Sequence, residues 1–184
     1  MTQFAFKQAV KAAKKARIAL IGPSGSGKTW TALALADGLR NGSGRIVGLD
    51  TERGSMSLYA TQFDFDVLDM PGYSPETYTH ALQAAAEAGY GVVIIDSLSH
   101  AWEGEGGARD QVDARKGKFG GNAWSAWSEV TPMQRTMVDA ILKYPGHVIV
   151  TMRTKTEWVV DKDDRGKSTP RKVGLQAIQR AGIE

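Results

Sequence analysis

Gly22-Pro23-Ser24-Gly25-Ser26-Gly27-Lys28-Thr29 is the stretch that decides the fold. It follows Arg17 to Ile21, an apolar run of strand length, and it opens Lys28 to Arg40, where Leu35 and Leu39 stand one helical turn apart. The spacing G-x-x-x-x-G-K-[ST] between a strand and a helix has a physical reason. Glycines let the backbone wrap with its N–H groups pointing inward, and the helix start adds partial positive charge, so triphosphate oxygens find donors there. In such a loop the lysine, here Lys28, reaches the β- and γ-phosphates, and the hydroxyl, here Thr29, joins a Mg²⁺ shell. ATP and Mg²⁺ are therefore the expected cofactors, bound along Gly22, Pro23, Ser24, Gly25, Ser26, Gly27, Lys28 and Thr29, with Trp30 next on the helix.

Working outward, the metal side of such a site needs an Asp ending an apolar strand. Val92-Val93-Ile94-Ile95-Asp96 supplies it, nearly all apolar as a strand buried on both faces is, so Asp96 joins Thr29 as a predicted metal ligand. Arg45 to Asp50 and Phe63 to Leu68 read as strands, and His147 to Met152 as one more. Ser74 caps a helix with Pro75 at its first position, and Tyr78, Leu82 and Ala85 follow at helical spacing. The glycine-rich residues 103 to 122 read as a long mobile loop. Thr131-Pro132 then starts a helix with Met133, Met137 and Ile141 in one apolar stripe. Strands alternating with helices mean βαβ units and a mostly parallel sheet, an α/β three-layer sandwich. Glu157 to Asp161 and Lys167 to Val173 flank Lys162-Asp163-Asp164-Arg165-Gly166 as a C-terminal β-hairpin. Phe4, Phe6, Lys7, Lys11, Lys14 and Lys15 read as a short basic lead.

Composition narrows the classes. The chain has 184 residues, 42% of them hydrophobic and 23% charged, a balance that fits a globular domain and not a disordered one. Its longest apolar runs fall far short of the roughly 18 residues that span a bilayer. It has no Cys, which excludes disulfides and thiolate metal sites. A cytoplasmic setting, in a bacterium or a phage-infected host, is the expectation. A net charge of +3 permits nucleic-acid contact without arguing for it.

Hydrolysis needs a carboxylate to orient the attacking water. The position after Asp96 is Ser97, which cannot do this, and the next candidate is Glu52 in Leu49-Asp50-Thr51-Glu52-Arg53-Gly54, just past the carboxyl end of the second strand. Ligands bind at that end of an open parallel sheet. Here the sequence resembles the RecA-like recombinases and their smaller phage-encoded relatives, AAA-family ATP-binding proteins. Those carry D-x-E after the second strand and a D-S pair like Asp96-Ser97. The phage-type proteins also match at Gly22-Pro23-Ser24-Gly25, at Asp96-Ser97-Leu98-Ser99-His100, from Thr151 to Glu157, at Gly166-Lys167 and over Pro170 to Gly174.

The resemblance implies one RecA-like P-loop ATPase domain over 1–184: a basic lead over 1–16, a nucleotide-binding core over 17–152, and a hairpin and tail over 153–184. The strands that normally follow are lacking after Glu184, so the sequence reads as a fragment. In bacterial relatives a Tyr seven residues past the Glu stacks on adenine, which implies that role for Tyr59; an aromatic core residue in a short helix is the other reading. Met56 stands where those relatives have an acid. Arg153 and Lys155 follow the strand that lies between the phosphate-loop strand and the Asp96 strand in this fold, where cations sense the γ-phosphate in cis or from a neighbouring subunit. A homo-oligomer, ring or filament, is implied.

Single-stranded DNA is the implied partner, in phage recombination or annealing. Trp102, Arg109, Arg115, Lys116, Lys118, Phe119 and Trp124, together with Trp158, Lys162, Arg165, Lys167, Arg171 and Lys172, interleave cations with aromatics, which suits single strands. A nucleotide-gated, non-enzymatic binding module and a small-metabolite kinase stay open beside the ATPase. A GTPase does not, since Asp96-Ser97-Leu98-Ser99 lacks D-x-x-G. Calcium fails as well, because Arg165 and Lys172 fall on positions that need oxygen ligands.

Overall fold

The computed structural model describes residues 8, 14–40, 42, 44–162 and 168–179, with side chains over that range except at 156–162 and 168–173. Most of the basic lead and the hairpin turn 163–167 lie outside the described residues. Strands β1 (Arg17–Gly22), β2 (Ile46–Asp50), β3 (Asp66–Asp69), β4 (Val92–Asp96) and β5 (His147–Lys162) lie in the order β1-β5-β4-β2-β3, every neighbour parallel. The sixth strand, β6 (Ser168–Ala177), runs antiparallel to the far half of β5. The fold is thus α/β with a mostly parallel sheet, as predicted. The order also places β5 between β1 and β4. In the register Gly22 pairs with Arg153, and Asp50 with Asp96.

Alternation along the buried strands builds two cores. Val92, Ile94, Ile46 and Ile149 face helix α1 (Lys28–Leu39) through Ala32, Leu33 and Ala36. Val93, Ile95, Val47, Leu49, Val148 and Val150 face α2 (Pro75–Glu87) and α5 (Ala123–Lys143) through Tyr78, Leu82, Ala85 and Met137. A period-2 strand with both faces apolar can only sit between helical layers. At the start of α2 the Ser74 hydroxyl accepts from Thr77 N–H at 3.1 Å. At the far end of α5 the Arg17 guanidinium donates to the carbonyls of Gly146 (2.8 Å), Leu142 (3.0 Å) and Tyr144, so the root of β1 caps that helix end.

Three expectations need correction. Residues 103 to 122 are not a mobile loop. They hold α4 (Ala108–Arg115) and a 3₁₀ turn, Lys116–Phe119, after the short helix α3 (His100–Glu103). Ala108 and Val112 pack on Ala126 and Val130 in a third small core that glycine content does not reveal. Helix α5 starts at Ala123, capped by the Asn122 side chain, which accepts from Trp124 N–H (2.9 Å) and Ser125 N–H (3.3 Å). Pro132 lies inside it, because packing on both sides outweighs the one missing backbone bond. The Phe63–Leu68 strand is Asp66–Asp69, since Phe63 and Phe65 are drawn down onto the α1-side core. No helix among the described residues is long and apolar enough to cross a membrane.

Gly48 shows how tightly the second strand is covered. A Cβ there would lie 2.0 Å from the Met56 sulfur, and Met56 is fully buried. Overpacking of this kind costs about 1–3 kcal/mol. Gly48→Ala should therefore lower the unfolding midpoint by several degrees. A thermal melt that matches the parent would mean that Met56 does not rest on this strand.

Candidate functional site

The octapeptide is built for a cradle. Gly25 and Gly27 take φ of +77° and +79°, a region other residues enter only under strain. Gly27 caps α1 with no side-chain acceptor, so the first N–H groups of the helix are left for whatever lies in the loop. Lys28 Nζ donates to Pro23 O at 2.8 Å, across the mouth of the same loop.

Beside it, Asp96 ends β4 with 3% of its surface exposed. Its Oδ2 accepts from the Thr29 hydroxyl at 2.5 Å, and its Oδ1 accepts from the Thr151 hydroxyl on β5. Both oxygens are thus held by neutral donors, and no ion pair joins Asp96 to a cation among the described residues. A buried carboxylate held this way gains from a cation placed beside it. The Thr29 and Asp96 oxygens fit a small hard ion that takes one or two protein oxygens, with phosphates and waters completing its shell.

The turn after β2 carries the acid. Buried Asp50 accepts from Glu52 N–H (2.6 Å) and Met56 N–H (3.0 Å), which shapes the chain into the 3₁₀ turn Met56–Tyr59. Thr51 ties this turn to β4. Its N–H donates to Asp96 O at 2.8 Å, and its hydroxyl lies 2.7 Å from Ser97 N–H and 2.6 Å from His100 Nδ1. Tyr78 supports the same point from below, donating to Ser97 O at 3.1 Å. Glu52 then reaches Arg153, whose Nε and Nη2 meet its two carboxylate oxygens at 3.0 and 2.5 Å. The main chain of Arg153 is fixed in turn, its N–H donating to buried Ser99 Oγ at 2.9 Å.

One cleft of about 270 Å³ is lined by Ser24, Gly25, Ser26, Gly27, Lys28, Thr29, Glu52, Ser55, Tyr59, Asp96 and Arg153. Most of the predicted residues are brought together there. Gly22 and Pro23 form the root of the loop and are not among the lining residues. Trp30 is not among them either; its ring meets Phe63 edge-on at 5.8 Å and its indole N–H donates to Gln62 at 3.2 Å. Lys155 is exposed beyond the cleft. Tyr59 packs against the α1-side core and also lines the cleft.

Sequence reasoning missed Ser55, Thr51, Ser99, Thr151 and the contact of His100. Each is a common hydroxyl or loop residue beside a stronger motif, and only strand order reveals its partner. A family model described as an AAA domain matches residues 14–181. No curated protein matches the chain.

His100 sets a pH dependence. Burial first, then the Arg153 charge, lowers its pKa below the ordinary imidazole value, against the opposing pull of Glu52, Glu103 and Asp96. The unfolded chain therefore takes up a proton near pH 6.5 that the folded chain resists, and stability falls as the solution is acidified below that point. His147, lowered chiefly by burial, acts in the same direction. Denaturant midpoints from pH 8 to pH 5 should fall, and His100→Gln should flatten part of the slope. Equal slopes in the two chains would remove His100 from this role.

Proposed function

The chain belongs to the AAA-domain family, a nucleotide-binding, ATPase-type domain; from that premise we propose that it is a Mg²⁺-dependent ATPase of RecA-like type, organised as one domain around the cleft and acting with single-stranded DNA. What carries the reading is the convergence of the loop donors, the Asp96–Thr29 oxygens, the Glu52–Arg153 pair and Tyr59 on one cleft. In it the backbone N–H groups of residues 24–28 and the start of α1 receive phosphate oxygens. Lys28 leaves the Pro23 carbonyl for the phosphates, and Thr29 with Asp96 holds the metal side. Bound Mg²⁺ supplies neutralisation of the charge that develops on the phosphates.

Glu52 orients water and takes its proton, while Tyr59 packs the base. Arg153 senses the terminal phosphate from within the same chain, a role supported by its register position beside Gly22. Lys155, outside the cleft, is the cation left to reach a neighbouring copy in a homo-oligomer.

The DNA part of the proposal rests on an aromatic surface. A cavity of about 640 Å³ is lined by Trp102, Trp124, Trp127, Ser128, Thr131, Pro132 and Arg135. Trp102 and Trp127 stack at 5.3 Å, and Trp124 is 86% exposed, a platform of the kind on which unpaired bases stack. The cations nearby are partly engaged. Arg115 and Lys118 meet Glu129 at 3.2 and 3.8 Å, and Lys116 meets Asp113 at 2.5 Å. Aromatic stacking therefore carries more of this reading than charge does. The hairpin cations from 158 to 172 have side chains outside the described range.

Lys28→Ala should abolish ATP binding in calorimetry. Glu52→Gln should keep binding and lose turnover by about 10²-fold or more, the range for a positioned base; unchanged phosphate release would take Glu52 out of that role. Single-stranded DNA should be retained on filters in a salt-dependent way, more with ATP than without. Trp124→Ala should weaken that retention. Retention indifferent to both salt and Trp124 would sink the DNA reading.

A further inference from the structure

Trp30 stands in the first turn of α1, directly after Lys28 and Thr29, yet it takes no part in lining the cleft. Successive residues of a helix point about 100° apart. Lys28 bonds within the loop and Thr29 bonds to Asp96, whereas Trp30 is turned outward with 48% of its surface exposed. What it meets there is the chain just past Tyr59. Its indole N–H donates to Gln62 Oε1 at 3.2 Å, and its ring meets Phe63 edge-on at 5.8 Å. Gln62 and Phe63 in turn donate their backbone N–H groups to one acceptor, the Tyr59 carbonyl, at 2.9 and 3.0 Å. An indole N–H only donates, so the contact needs the amide oxygen of Gln62.

The sheet joins the loop and the Tyr59 turn only indirectly. The loop leaves β1 and the turn leaves β2, and β5 and β4 lie between those strands. The Tyr59 hydroxyl has no hydrogen-bond partner among the described residues, so its ring is placed by its backbone and its packing. Buried Met56 holds one end of the turn on the sheet, and Trp30 meets the other end. We propose that Trp30 is a positioning residue, a strut from the start of α1 to the Tyr59 turn that sets the distance between the phosphate cradle and the base platform. This inference rests on the nucleotide-binding reading of the cleft. A platform already held at the right span lowers the ordering cost of binding a flexible ligand. The strut therefore acts on the nucleoside end of the ligand. Bare tripolyphosphate, which carries no base, does not feel it.

The experiment is calorimetric titration of the full chain, with Mg²⁺ present, by a non-hydrolysable ATP analogue and by inorganic tripolyphosphate. Trp30→Leu should weaken the analogue about tenfold, through the lost preorganisation, and should change tripolyphosphate affinity by less than about twofold, the scatter expected of independent sites. Trp30→Phe keeps a ring against Phe63 and deletes only the donor. It should weaken the analogue about threefold, the worth of one neutral hydrogen bond. Gln62→Leu, far from the loop in sequence, should do the same, and the two together should lose no more than either alone. Tyr59→Leu should weaken the analogue about tenfold, as loss of a stacking partner does. In that background Trp30→Leu should add almost nothing, because the strut then has no platform to place.

Gln62 is exposed, so its substitution stands in if a Trp30 chain does not fold. Equal weakening of the analogue and tripolyphosphate would mean that Trp30 merely supports the loop, and it overturns the strut. So does an unchanged analogue affinity in both Trp30→Leu and Gln62→Leu. A full tenfold loss from Trp30→Leu in the Tyr59→Leu chain would mean that Trp30 meets the base itself, and it overturns the strut as well. Each of these leaves nucleotide binding intact. A parent chain that binds neither the analogue nor tripolyphosphate overturns the underlying reading, and the strut with it.

Discussion

Asp96 is the constraint on which the site depends. Its carboxylate lies below the surface and is gripped from two directions, by the Thr29 hydroxyl at the start of α1 and by the Thr151 hydroxyl on β5. Three segments far apart in sequence therefore meet at one pair of oxygens. An unmet buried carboxylate is costly, so the strand ends and the helix start are held in register wherever that carboxylate is buried. The hydroxyls satisfy its hydrogen bonds but leave its charge unbalanced, which is what suits the place for a cation.

A second tie extends the same logic sideways. Asp50, the register partner of Asp96 on β2, spends its two oxygens on the backbone of its own turn. Thr51 bonds across to the main chain of Asp96 and Ser97. The acid at 52 therefore projects from a fixed frame, and its orientation is a matter of side-chain partners. The close approach of Met56 to Gly48 belongs to this frame as well, since it holds the 3₁₀ turn with Tyr59 down on the sheet.

Much of this was legible along the chain, and much was not, for identifiable reasons. The glycine-rich loop after β1 and the Asp96 strand are local patterns, legible from spacing alone. The α2 cap at Ser74 is local too. The region from 103 to 122 hides its order in sequence because glycine suggests freedom, whereas Gly104 and Gly107 pack so near the His100 carbonyl that a Cβ would lie 2.7 Å from it. The start of α5 misled because proline usually opens a helix, and nothing near Pro132 in the sequence announces the small core that lengthens this one.

By itself, the sequence determined the parallel α/β class, the strand-to-helix turn from Gly22 to Thr29, and the place of Asp96 at the end of its strand, because each rests on periodicity or on contacts between near neighbours. Only the tertiary structure decided which groups those residues face. That Glu52 holds Arg153 across 101 positions, that Thr151 shares Asp96 with Thr29, and that His100 leans on Thr51 follow from strand order and register. Hydrogen bonds act over about 3 Å whatever the separation along the chain, so no reading of spacing alone supplies them.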